Sequence, residues 1–305
     1  MSNLFNFKFQ KKSPAPTISA GANIITNDKL ILSDEVFDKF RASIYDLCGI
    51  YYSENKKYLL EGRISKRIIE LDLSSYQEYL TMIRNPVNRD ELTSLFDAIT
   101  INETYFFRAN HQFEALENIV IPEIIESKKN KFKKIVRIWS AASSSGEEAY
   151  SMAIMIQDRL SKKYPNVEFQ ILASDINKTV IDNARKGIYK EYAIRNIEKP
   201  LLEKYFTKNG NSYILSEKIK SMVKFTKINL YDDSQMRQVS GCDVIFCCNV
   251  LIYFDIPSKQ KVITHLFDSL NRGGYLFIGY SESLHGISRA FKLIHLHKAM
   301  TYKKE

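Results

Sequence analysis

The stretch "KIVRIWSAASSSGEEAYSMAIMIQDRL", residues 134–160, decides the fold. It opens on a short β-branched and apolar run, passes through six small residues ending at Gly146, and continues as an apolar run of helical length with two glutamates in its first turn. A strand, a tight loop and a helix in that order form the first unit of an α/β domain. The same grammar repeats downstream. "EFQILASD", "VKFTKINL", "CDVIFCCN" and "GGYLFIGY" read as strands, and "NKTVIDNARKG" and "PSKQKVITHLFDSLNR" as intervening helices. Strands that are apolar on both faces and alternate with helices predict a doubly wound, mostly parallel sheet. The closing "FKLIHLHKAMTYKK" predicts a hairpin that adds an antiparallel strand. "SYILSEKIK" beside the turn signal Asn209-Gly210-Asn211 predicts a small β insertion at about 188–227.

Upstream the pattern is helical. "SDEVFDKFRASIYDLCG" spaces Val36, Phe37, Phe40, Ile44 and Leu47 at helical intervals, with acidic residues at its start and Gly49 at its end. "SENKKYLLEGRISKRIIELDL", "SSYQEYLTMIRN" and "NRDELTSLFDAIT" give three more helices, the first with Leu60, Ile64, Ile68 and Leu71 as its buried stripe. The expected organisation is a mobile tail over 1–30, a helical module over 31–101, a linker motif over 102–112 and an α/β domain over 113–305.

The chain has 305 residues, no apolar run of membrane-spanning length and no secretory signal pattern, so the expected location is the cytoplasm. Its four cysteines, Cys48, Cys242, Cys247 and Cys248, form no paired zinc or disulfide spacing and are expected as free thiols. His295 and His297 alternate along a terminal strand and read as sheet packing, so no metal is expected. A net charge of +9 favours an acidic partner. With no zinc finger or RNA-binding signature, nucleic acid is not the expected one.

In open α/β sheets ligands lie beyond the carboxyl ends of the strands, where strand order reverses. After the first strand stand Glu147 and Glu148, where a dinucleotide or ATP site needs an anion cradle. Neither GxGxxG nor GxxxxGK[ST] occurs, so NAD and ATP are disfavoured. Carboxylates there suit a cationic nucleoside without phosphates, or simply complement the helix dipole. Asp175 ends the second strand and can accept two ribose hydroxyls or cap the next helix. Asn229 and Asn249 follow the third and fourth strands as turn formers or base contacts. Four polar strand ends around one crevice favour a nucleoside site.

Taken with these, "INETYFFR", "WSAASSSGEEAYSMAI", "ASDINKTVIDNARKGIY", "INL" and "FCCNVLIYF", in this order and spacing, resemble the CheR family of chemotaxis receptor glutamate methyltransferases from about residue 31 to the end. The resemblance implies an all-α N-terminal domain and a Rossmann-like S-adenosylmethionine-dependent methyltransferase domain with an inserted β-subdomain. It implies transfer of a methyl group to receptor glutamates, giving γ-glutamyl methyl esters and S-adenosylhomocysteine. Carried over residue by residue, it implies cofactor contacts at Asn102, Thr104, Arg108, Glu147 or Glu148 (Glu148 favoured), Asp175, Asn229, Leu230, Cys247, Cys248 and Asn249. Arg108 and Tyr253 match positions implicated in the transfer. Relatives commonly have Cys-Arg-Asn where this chain has Cys247-Cys248-Asn249. The turn of the β insertion is also shorter than in members that grip a receptor's C-terminal pentapeptide, implying a methyltransferase that does not need that tether.

A substrate-binding face is expected on the second helix, where Lys56, Arg63, Lys66 and Arg67 fall in one sector and could meet an acidic receptor coiled coil. The chain is expected to act as a monomer and to meet membranes only through receptors. A methyltransferase of another pathway, or a cofactor-binding adaptor without catalysis, is the competing reading.

Overall fold

A computed structural model describes residues 30–85, 87–296 and 298–305. The expected tail, residues 1–29 of it, and His297 lie outside the described residues.

Four helices form the N-terminal module: α1 (Asp34–Cys48), α2 (Lys57–Glu70), α3 (Tyr76–Arg84) and α4 (Arg89–Ile99). The ends of α1 follow the sequence signals. The Ser33 hydroxyl accepts from the Val36 N–H, and Gly49 closes the helix in the left-handed region with φ 73°. The apolar stripes meet in a separate core of Phe37, Phe40, Ile44, Leu60, Ile64, Ile68 and Tyr79. The four-helix pattern therefore folds as expected, with one departure. Residues 54–56 make a 3₁₀ turn ahead of α2, so Lys56 is not on the helix that carries Arg63.

An ion pair projects into this core. Arg67 donates from Nε and Nη2 to the two oxygens of buried Glu91, at 2.8 and 2.7 Å, and the Tyr79 hydroxyl donates to the same carboxylate at 2.7 Å. The cluster ties α2, α3 and α4 together.

The second domain begins with α5, a continuous helix over 110–127 that includes a π-helical turn at Leu116–Val120. It continues through β1 (Lys134–Ala141), α6 over 147–163, β2 (Val167–Asp175) and α7 (Lys178–Lys186). Then come β3 (Ile188–Lys190), α8 (Lys199–Tyr205), β4 (Phe206–Asn209), β5 (Ser212–Leu215) and β6 (Val223–Lys227). β7 (Cys242–Cys247), α9 (Ile256–Ser269), β8 (Leu270–Ile278), β9 (Phe291–Leu296) and β10 (Ala299–Lys304) complete it.

Seven strands form one sheet in the order β6-β2-β1-β7-β8-β10-β9. The first five are parallel, and β10 pairs antiparallel with both β8 and β9. Both strands of the closing hairpin thus join the sheet, where one added strand was expected. Every residue of β7 is buried, as a strand covered on both faces requires. The insertion is a separate three-stranded antiparallel sheet, β3-β5-β4, turning at Gly210. It is shorter than the expected 188–227, because β6 belongs to the main sheet.

β2 and β7 flank β1 on opposite sides, so strand order reverses there and a crevice opens at the carboxyl ends of β1 and β7. The helical module covers that crevice. Ile50 bridges to Phe254, the Tyr51 N–H donates to the Tyr253 carbonyl at 2.9 Å, and the Asn177 amide reaches the Thr100 hydroxyl at 2.8 Å.

Candidate active site

Between module and sheet lies a cleft of about 330 Å³, the size of a small-molecule site. Its floor is the loop after β1, where Ala142 and Ser144 adopt left-handed backbone with φ 60° and 52°. Non-glycine residues hold such angles only where their surroundings fix them, at roughly 1–3 kcal/mol each. Here Asp175 fixes Ser144. Its Oδ2 accepts from the Ser144 N–H at 2.8 Å and its Oδ1 from the Asn177 N–H at 2.9 Å. The Ser144 hydroxyl also donates to the Asn102 carbonyl at 3.0 Å, which ties the linker motif to the same loop. Gly146 must stay glycine. Its φ is 91°, and an added Cβ would lie 2.9 Å from the Ala184 methyl.

Asn102, Thr104, Arg108, Glu148, Asp175, Asn229, Leu230, Cys248, Asn249 and Tyr253 all line this cleft, together with Lys56 and Arg63 from the helical module. Four expected residues do not. Glu147 is buried, with its carboxylate taken by the Ser145 hydroxyl. Cys247 is fully buried on the opposite side of β7 from Cys248, because successive strand residues face opposite ways. Arg67 is held by Glu91 and Glu70, and Lys66 lies beside a separate shallow groove with Ser94 and Asp97. The proposed four-cation face therefore splits, and only Lys56 and Arg63 reach the cleft. The Asn229 side chain is also engaged elsewhere, donating to the Leu47 carbonyl at 2.7 Å and accepting from the Tyr231 N–H. It fastens α1 to the sheet.

Burial pushes Glu148 up to about 7, against the Ser140 hydroxyl at 2.6 Å, the Cys248 thiol and the charge of Arg108. Burial likewise raises Asp175, opposed by its backbone N–H donors. Burial, then the nearby Glu148 and Glu282 charges, raises Cys248 well above the usual thiol range, so a neutral thiol stands beside Glu148. Arg108 is exposed. It donates to the Glu103 carbonyl at 2.8 Å, and its guanidinium lies 5.6 Å from the Tyr105 ring.

Several residues of the site escaped the sequence reading. Glu282, in the loop after β8, accepts from the N–H groups of Asn249, Ile252 and Gly279, at 2.9, 3.3 and 2.5 Å, and fixes the loop that carries Tyr253. Gly279 makes room for it, since an added Cβ would fall 2.6 Å from the Glu282 carboxylate. Glu282 follows the fifth parallel strand, β8, and no motif of the sequence marks that strand end. Gln112 spans from the Ile278 carbonyl to Cys248, and no short motif marks it. In the linker motif, Phe106 and Phe107 pack away from the cleft against Tyr189, Phe206 and Phe113. Tyr105 lines the cleft and stacks on the Arg195 guanidinium at 3.4 Å.

The Ser143 hydroxyl is buried on the cleft wall and has no hydrogen-bond partner among the described residues. A ligand with polar groups at this depth would satisfy it. Asp175 and Glu148 put carboxylates, not cations, at the strand ends, which fits a cationic nucleoside and opposes a phosphate. The residues fit S-adenosylmethionine. Among the described residues no cluster of three or more metal-ligating side chains occurs, and no helix is long and apolar enough to cross a membrane.

Fold and cleft together define an S-adenosylmethionine-dependent methyltransferase. Residues 35–100 match the all-alpha domain of CheR methyltransferases, and residues 102–300 match their SAM binding domain. The chain belongs to the CheR methyltransferase family. It is 34% identical over 278 residues to chemotaxis protein methyltransferase 2 of Vibrio cholerae, covering 91% of this chain and 95% of that one. It is 36% identical over 244 residues to a chemotaxis protein methyltransferase of Borreliella burgdorferi, covering 80% and 86%. With chemotaxis protein methyltransferase Cher2 of Pseudomonas putida it shares 34% identity over 271 residues, covering 88% and 97%.

Proposed function

We propose that this chain methylates the γ-carboxylate of glutamates in the cytoplasmic coiled-coil region of chemoreceptors, acting as a monomer in the cytoplasm. The observation that carries this reading is the polarity of the cleft. Buried Asp175 and part-buried Glu148 line it together with Tyr253, Arg63 and the exposed Arg108 and Lys56, while Glu103, a third carboxylate of the lining, accepts from the Tyr192 hydroxyl. Such an arrangement can seat a cation and receive an anion.

When bound, S-adenosylmethionine supplies a methyl group activated by its sulfonium. The acceptor glutamate, of ordinary pKa near 4.3, is already ionised at neutral pH and needs no general base. The chain's task is therefore alignment, which can supply several kcal/mol of a barrier. Asp175 would accept the ribose hydroxyls, Glu148 would pair with a positive group, and Asn102, Thr104, Leu230, Cys248 and Asn249 would complete the enclosure. Arg108 and Tyr253 would orient the incoming carboxylate. Too strong a pair with Arg108 would stabilise the ground state, because the carboxylate's charge is consumed as the ester forms. Orientation is thus its contribution.

Incubating the full chain with methyl-labelled S-adenosylmethionine and receptor-containing membranes should give label that mild base releases as methanol. Arg108→Ala should lower that turnover by roughly a hundredfold, and Tyr253→Phe by about tenfold. Cofactor binding without ester marks an adaptor instead, and wild-type turnover in both variants removes the assigned roles.

The pH dependence of cofactor affinity should follow Glu148. Its carboxyl ionises near 7 in the free chain, and a cationic ligand favours the ionised form. Affinity should therefore rise with pH through 7 and fall below it, by at most about tenfold per pH unit for one group. Calorimetry in buffers of different ionisation enthalpy should record proton release near pH 6.5. Glu148→Gln should abolish that release, and an unchanged profile in the variant would remove Glu148 from the linkage.

A further inference from the structure

A second concavity, of about 590 Å³, opens beside the cleft and shares Arg108, Gln112, Cys248 and Asn249 with it. The loop after β8 and the β9–β10 hairpin form its outer wall. There Tyr280 is 87% exposed and Met300 48% exposed, with Leu296 in the same lining and Lys298 on the hairpin turn. Exposed apolar side chains mark a binding surface when they gather in one place rather than stand singly, and Tyr280, Leu296 and Met300 line this one groove. Only one carboxylate, Glu282, belongs to the described lining, and its oxygens are taken by three backbone N–H groups. Arg108, from the linker motif, and Lys298, on the hairpin, bring positive charge to the lining of the groove. His295 and His111 lie there as well, the latter 3.3 Å from Glu114.

We propose that this groove seats the part of the substrate that flanks the target glutamate, an acidic amphipathic helix with an apolar residue one or two turns from the target. The inference rests on the reading of the acceptor as a glutamate in a protein helix. A helix presents residues three, four and seven positions away on the same face as the target, about 5–10 Å along its axis. With the target carboxylate in the cleft, those positions extend along the groove. An apolar side chain there packs on Tyr280, Leu296 and Met300, and acidic neighbours meet Lys298. Lys56 and Arg63 lie on the module side of the cleft, so the substrate is held from both sides of the methyl-transfer point.

The test compares wild type with Met300→Glu and Lys298→Glu, using the cytoplasmic fragment of a chemoreceptor and, separately, a short glutamate peptide that ends within the cleft. For the receptor fragment, Met300→Glu should raise KM by about tenfold and Lys298→Glu by about threefold, with kcat retained. S-adenosylmethionine affinity, melting temperature and turnover of the short peptide should stay at wild-type values. Unchanged KM in both variants, or a loss confined to kcat, would overturn the groove while leaving glutamate methylation standing. Failure of the wild type to form any ester would overturn the parent reading instead.

Discussion

Replacing Asp175 by alanine is expected to weaken S-adenosylmethionine binding by about a hundredfold or more. One carboxylate holds the Ser144 and Asn177 N–H groups at 2.8 and 2.9 Å, in a loop whose Ala142 and Ser144 sit in the left-handed region. Removing it leaves two buried donors without partners, at roughly 1–3 kcal/mol each. It also frees the loop to leave its strained form, and removes the acceptor expected to meet the ribose. These losses reinforce one another, since the loop forms the floor on which the ligand lies. Asp175→Asn keeps one acceptor oxygen and should lose less. Calorimetric titration reads both, and wild-type affinity in the alanine variant would refute the assignment.

Glu91→Ala should destabilise the helical module by roughly 2–4 kcal/mol. Truncating one partner of a buried pair leaves the other charge without compensation, at about 3–5 kcal/mol. Arg67 keeps 25% side-chain exposure and the neighbouring Glu70, which moderates that cost. The Tyr79 hydroxyl loses its acceptor as well. Replacing both charges with apolar residues, as in Arg67→Met with Glu91→Leu, should recover most of the loss. Urea denaturation of single and double variants measures the difference, and a loss under 1 kcal/mol for Glu91→Ala would contradict the account. Reversing the charge of Arg67 would then damage the fold before it tested substrate binding.

Much of the architecture was legible because it is written in short-range patterns. The spacing of Phe37, Phe40 and Ile44 with Gly49 behind it determines α1 locally, as the small residues before Glu147 determine a strand, loop and helix. The ordered motifs from "INETYFFR" to "FCCNVLIYF" carried the family, and with it the cofactor. The separation of Cys247 from Cys248 was also foreseeable, because strand neighbours alternate in direction.

Which of two similar side chains reaches the cleft was not legible. Arg63 and Arg67 stand one helical turn apart, yet Glu91, supplied by α4, captures Arg67 while Arg63 remains on the cleft. For Glu147 and Glu148, adjacent in the first turn of α6, the resemblance alone favoured Glu148, and Glu148 is the one that lines the cleft. The Ser145 hydroxyl occupies the first, and Ser140 and Cys248 face the second. Asn229 is drawn off by the Leu47 carbonyl from 182 residues away. The anchor at Glu282 joins two strand ends that are distant in sequence. By itself, then, the sequence determined the two domains, the strand–helix order, the cofactor class and the segments that approach it. Only the tertiary structure decided which charges stay available. A helix or strand forms from contacts within a few residues, whereas a side chain's partner is set by whatever the folded chain places within hydrogen-bond reach.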